Sequence, residues 1–182
     1  MSTLFVNNLN TASGSTITVP TGKTLVVTDG GGVTAPGMVL QTVNATHATQ
    51  TSTTSASFVA TALNASITPK FSSSKILVRF SMPAYAPAGK HCVGTVFRET
   101  GTAALNNAIS GTNLGDATWG FSSMYTGTGD IMGSVHCTGV LDSPNTTSAL
   151  RYTIAYRQNN TGTVECFVNG SMGTLTLQEI AQ

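Results

Sequence analysis

From Arg151 to Arg157 the chain alternates with period two. Tyr152, Ile154 and Tyr156 fall on one side, and Arg151, Thr153 and Arg157 on the other. That period is the signature of a half-buried β-strand. Ile131 to Leu141 has the same strand character, and Asp142-Ser143-Pro144-Asn145 stands between the two runs. Asp142 can bond backbone two residues on, and Pro144 presets its own φ, so 131–157 reads as strand, sharp turn, strand. Lys75 to Met82 repeats the pattern, with Ile76, Val78 and Phe80 against Lys75, Arg79 and Ser81.

No segment longer than a turn or two has helical periodicity. Further strand-like runs cover Met38–Thr46, Ser55–Ile67 (broken near Asn64), Cys92–Glu99, Trp119–Tyr125, Thr163–Val168 and Gly173–Ile180. Turn residues separate them. Pro83 to Lys90 reads as a loop, and Thr100 to Ala117 as a long polar excursion. About eight to ten strands at this spacing imply an antiparallel β-sandwich, jelly-roll-like in size. The final run is expected to be tied into the sheet.

Residues 1–36 differ. Short apolar runs (Leu4–Val6, Ile17–Val19, Leu25–Val27) alternate with turn residues, and each strand is too short to hold a core alone in water. The economical partner is another copy of the same chain. This segment reads as an extended β shaft or attachment segment, jointed at Asp29-Gly30-Gly31-Gly32 to a head formed by residues 37–182.

Composition narrows function. Only 8% of the 182 residues are charged, against roughly 25% in an ordinary soluble domain. With net charge +1 there is no basic patch for phosphates, so no nucleic-acid partner is expected. No apolar run reaches the roughly 18 residues of a membrane span, and no secretory signal is expected. Asn-x-Ser/Thr triplets at Asn44, Asn64, Asn145, Asn159 and Asn169 read as composition in so Thr-rich a chain.

Cys92, Cys137 and Cys166 form no C-x-x-C pair and read as buried small apolar residues. His47, His91 and His136 lie far apart, so no metal and no cofactor is expected within one chain. The one arrangement to test is His136 contributed by three chains on a threefold axis. Asp116 and Asp130 flank the Trp119 segment as a glycosidase pair would. No Ser-His-Asp grouping, nucleophile elbow or phosphate loop accompanies them, so catalysis is not expected.

Aromatic faces among neutral amides and hydroxyls suit sugars, because apolar CH faces stack and hydroxyls meet amides. Trp119 and Phe121, at strand positions, are expected in the core. Tyr85, His91 and Tyr125, with Asn106, Asn107 and Asn113 on the long loop, are the candidate receptor-binding surface.

The segment MSTLFVNNLNTASGSTITVPTGKTLVVTD and the blocks GMVLQTV, SSSKILV, LDSPNTTSALRYTIAYR and TLTLQEIAQ resemble tail-fibre-like virion proteins of marine and cyanobacterial bacteriophages. The resemblance covers most of the chain outside Pro83–Asp130. It implies a homotrimeric fibre made in host cytoplasm, attached to other virion tail proteins through residues 1–36 and touching a host cell-surface glycan with its head. A capsid decoration or head-fibre protein, and a glycan-degrading tailspike, are the alternatives.

Overall fold

The computed structural model describes residues 20–24, 33–101 and 111–182. The chain divides into two units, Met1–Val33 and Thr34–Gln182. Of the expected shaft of residues 1–36, only 20–24 and 33–36 are among the described residues.

Strand formation follows the period-two runs. Among the described residues the strands are β1 (Val39–His47), β2 (Thr51–Thr53), β3 (Val59–Ile67), β4 (Lys75–Ala86), β5 (His91–Thr100), β6 (Thr112–Asn113), β7 (Ser122–Tyr125), β8 (Ile131–Asp142), β9 (Leu150–Asn159), β10 (Val164–Cys166) and β11 (Gly173–Ile180). A short 3-10 turn covers Val168–Gly170. All pairings are antiparallel. One six-stranded sheet runs β1-β11-β4-β10-β2, with β8 on the other side of β4. A five-stranded sheet runs β3-β9-β5, with β6 and β7 sharing the far edge of β5. The two sheets pack as the expected β-sandwich.

β4 is the spine of the six-stranded sheet. Its inward residues Ile76, Val78, Phe80, Met82, Ala84 and Ala86 are all buried, as the alternation requires. They meet Leu175 and Leu177 of β11 and, from the other sheet, Val96, Tyr152, Ile154 and Tyr156. β4 also runs through Pro83, where a loop was expected. Pro83 falls where the partner of β4 changes from β11, which ends opposite Ser81, to β10, which begins opposite Ala84. Its carbonyl accepts from Phe167 N at 2.8 Å on that side. The missing N–H therefore removes no ladder bond.

The expected hairpin over 131–157 is not formed. Both strands exist, but β8 pairs with β4 in one sheet, and β9 pairs with β3 and β5 in the other. The link between them crosses the sandwich, with Asn145 in the left-handed region at φ 52°. A polar clamp fixes the crossing. Asp142 accepts from Arg98 at 2.6 Å and from the Tyr152 hydroxyl at 2.7 Å, joining β8 to β5 and β9. Nor is β9 half-buried: its polar side is covered as well as its apolar side. Arg151 pairs with Glu99 at 2.6 Å in that second layer.

Glu179 shows how the core tolerates a charge. It faces inward from β11 and is fully buried. Its carboxylate accepts from Gln41 Nε2 at 2.6 Å and from the amides of Lys70 (2.7 Å) and Phe71 (3.4 Å), so it caps the turn before β4. Burial pushes the carboxyl up, but the nearby Ser74 hydroxyl and these bonds outweigh it and hold it below its ordinary 4.5. Glu179→Ala should cost about 2–4 kcal/mol, because it takes the shared acceptor from the Lys70, Phe71 and Gln41 amides. A depressed folded pKa gives stability that is complete above the ordinary value and fades as pH falls through the folded value. Thermal unfolding curves of parent and variant should therefore converge below pH 4.5.

Candidate functional site

The site is built on the free edge of β5, where one strand is interrupted by an excursion. β6 pairs with Phe97 and Arg98, and Leu114 N donates to Val96 O at 3.0 Å. The chain then leaves the edge over 115–120. It returns when Phe121 N donates to Gly94 O at 2.9 Å, and β7 continues the pairing along 91–94. Residues at the exit and return explain why the chain can do this. Gly120 has φ 58°, and a Cβ there would lie 2.1 Å from Gly94 O. Only glycine fits that backbone approach.

Asp116 folds the excursion. Its backbone exchanges bonds with Gly120 at 3.0 and 2.9 Å, and its carboxylate accepts from the amides of Trp119 (2.6 Å) and Thr118 (2.8 Å). Those amides hold the carboxyl below the ordinary value. Arg157 anchors the loop from beneath. Its Nε and one terminal nitrogen donate to Thr118 O, and the other donates to Ala56 O at 2.7 Å. The guanidinium also lies 5.4 Å from the Phe58 ring centroid.

This frame presents an aromatic ledge. His91 and Tyr125 are direct register partners, and their rings stack at 4.3 Å with 28° between planes. Trp119 meets the His91 ring edge-on at 5.2 Å. Trp119 is 45% exposed and Tyr125 57%. Asn159 of β9 is level with His91 on its other side. Such a surface offers flat apolar faces with neutral hydrogen-bonding groups at their margin, the chemistry that holds a pyranose ring.

His91 is partly covered, and burial pushes its pKa below the ordinary 6.5. Trp119 is the chain's single tryptophan, so its fluorescence reports on this ring pair. Protonation of an adjacent imidazole quenches indole emission. Emission should fall on acidification with a midpoint below 6.5, and His91→Gln should remove the step.

The expected surface is thus divided. His91 and Tyr125 come together. Trp119, expected in the core, joins them instead; Phe121 is the half-buried one, 6.3 Å edge-on to Phe80. The signal for this was Gly115-Asp116-Ala117-Thr118-Trp119-Gly120, an Asx-turn pattern between glycines. Tyr85 lies on the outer side of the six-stranded sheet, its hydroxyl donating to Asp130 at 2.8 Å, a bond that raises its pKa. Asn113 is structural: its Oδ1 accepts from Thr95 Oγ1 at 2.5 Å and Gly115 N at 3.1 Å. Asn106 and Asn107 lie outside the described residues.

Asp116 and Asp130 each serve a separate turn, Asp130 accepting from Ala88 N at 3.0 Å as well as from Tyr85. His136 is exposed on β8 beside a groove of about 370 Å3 with Arg79, Ser81, Thr138 and Thr174. Among the described residues no three metal-ligating side chains cluster. No protein-family model matches the sequence, and no curated protein matches it.

Proposed function

We propose that this chain is a bacteriophage virion structural protein, a homotrimeric tail fibre whose head adheres without catalysis to a host cell-surface glycan through the His91–Trp119–Tyr125 ledge. Residues 1–36 attach it to other tail proteins, and the fibre is assembled in host cytoplasm. The observation that carries this reading is the ledge itself. Two exposed aromatic rings and an imidazole are held rigidly on a well-packed scaffold. Only 8% of the chain's residues are charged, a composition that suits a neutral sugar better than a phosphate. Three heads per fibre and several fibres per particle make weak single contacts sufficient.

A glycan array probed with the intact protein tests the reading. Trp119→Ala and Tyr125→Ala should each weaken binding to the preferred sugar roughly tenfold, from the loss of ring stacking worth about 1–1.5 kcal/mol. Absence of binding to any glycan, or binding indifferent to both substitutions, overturns it. Light scattering tests the trimer, which a clean monomer with intact β-signal refutes. Shortened saccharide products after incubation would favour a tailspike, and electron microscopy of the particle separates a tail from a capsid location.

A further inference from the structure

Two of the three cysteines face each other inside the sandwich. Cys92 belongs to β5 of the five-stranded sheet, and Cys166 to β10 of the six-stranded sheet. Both are fully buried in the shared core. Cys92 alternates inward with Gly94, over which Val135 and Met82 pack from the opposite sheet. Cys166 is level with Ala84, an inward core residue of β4. At this end the backbones of β5 and β10 come within 8 Å at their Cα atoms, closer than the ~10 Å between stacked sheets. Burial, and then the neighbouring Cys92 thiol, push the Cys166 thiol up. Tyr156 of β9 belongs to the same buried cluster. Its hydroxyl lies 3.2 Å from Thr51 Oγ1, and Thr51 is the register partner of Cys166. Four strands thus fix the pair. Cys137 is apart from them on β8, its thiol 3.9 Å from the Val78 carbonyl.

We infer that Cys92 and Cys166 are a disulfide site, a covalent clasp between the two sheets that closes when the chain folds in the presence of a low-molecular-weight disulfide. With oxidised glutathione as the oxidant, one cysteine thiolate attacks a glutathione sulfur, forms a mixed disulfide and expels one glutathione thiolate. The second cysteine thiolate then attacks the protein sulfur of that mixed disulfide and expels the other. Two protein thiols and one oxidised glutathione become one protein disulfide and two glutathione thiols, which carry the two protons. Both sulfurs are sealed from solvent, and burial pushes the Cys166 thiol up. The exchange therefore belongs to the open chain during folding, not to the closed sandwich, so a chain that folds in a reducing cytoplasm keeps the dithiol and the clasp closes only where folding meets the oxidant. A disulfide needs a Cα spacing of ~4.4–6.8 Å, a range that lies inside the 8 Å to which residues of β5 and β10 approach.

The full chain, reduced and unfolded, is refolded either with oxidised glutathione or with reductant, then alkylated under denaturing conditions and mapped by mass spectrometry. The oxidised sample should carry one alkyl group, on Cys137, and yield a linked peptide pair containing Cys92 and Cys166. The reduced sample should carry three. A loop from 92 to 166 restricts the unfolded chain strongly, so the oxidised protein should melt roughly 10 °C higher, reversibly on reduction. Cys137→Ala should keep the link and the rise; Cys166→Ser should lose both while leaving its two thiols alkylatable. Three alkylated cysteines in oxidatively refolded protein, a bond to Cys137, or failure of the oxidised chain to refold would each overturn the inference.

Discussion

Val78→Asp should yield no soluble folded protein. Val78 is fully buried at the centre of β4, opposite Leu177 on one side and Val140 on the other. Ile76 and Phe80 flank it on the same inward face. An aspartate there would point into the buried apolar cluster that holds Ile76, Phe80 and Leu177. Removing an unpaired carboxylate from water costs several kcal/mol even after relaxation. The lost valine packing adds about 2 kcal/mol or more. Together these consume most of a typical stability of about 5–15 kcal/mol. Val78→Ala, which loses only packing, should stay folded with a lower melting temperature. Arg79→Asp, one residue away but outward and exposed, should fold normally. Circular dichroism on the soluble fraction of all three separates a core position from general intolerance of β4. A soluble Val78→Asp protein with full β-signal would mean that β4 does not face the core as described.

The contrast between residues 78 and 79 also shows what period two can reveal. Alternation fixes the faces of a strand, so the inward set of β4 was legible from Ile76, Val78 and Phe80 alone. It does not name the partner. β8 and β9 are adjacent strands with a turn-like link, yet they lie in opposite sheets. The link from 143 to 149 is longer than the two-residue loops that force a hairpin, and the Asp142 clamp to Arg98 and Tyr152 rewards crossing. Both-sided burial of β9 was hidden for a related reason. Arg151, Thr153 and Arg157 look like a solvent face, but two of them are arginines that are themselves covered and bonded, to the buried Glu99 for one and to backbone carbonyls for the other. Trp119 was misplaced because residues 119, 121, 123 and 125 imitate one face of a strand. The glycines at 115 and 120 let the chain leave β5 and return, so Trp119 rides outside while Phe121 packs inward.

Arg157→Met should dismantle the ledge without touching any of its rings. Arg157 is 9% exposed, and its guanidinium satisfies the carbonyls of Thr118 and Ala56 while lying against Phe58. Methionine keeps an apolar stem but supplies no donor. Two backbone carbonyls lose charge-assisted bonds, for a cost of about 2–4 kcal/mol. The sandwich core does not depend on this contact, so the variant should fold and melt cooperatively at lower temperature. Its loop should not hold. Trp119 emission should shift to the red and its anisotropy fall, as the indole leaves the His91 ring, and the acid-quenching step should disappear with it. On the proposed function, glycan binding should drop as far as in Trp119→Ala, although Arg157 lies beneath the loop. Arg157→Lys should recover little, since one ammonium cannot reproduce the planar fork that reaches both carbonyls at once. A variant with the parent's Trp119 spectrum and parent-like binding would show that the Asp116 turn alone holds the excursion. In that case the ledge owes its rigidity to local backbone bonds, and the buried arginine contributes only to the stability of the second layer over β9.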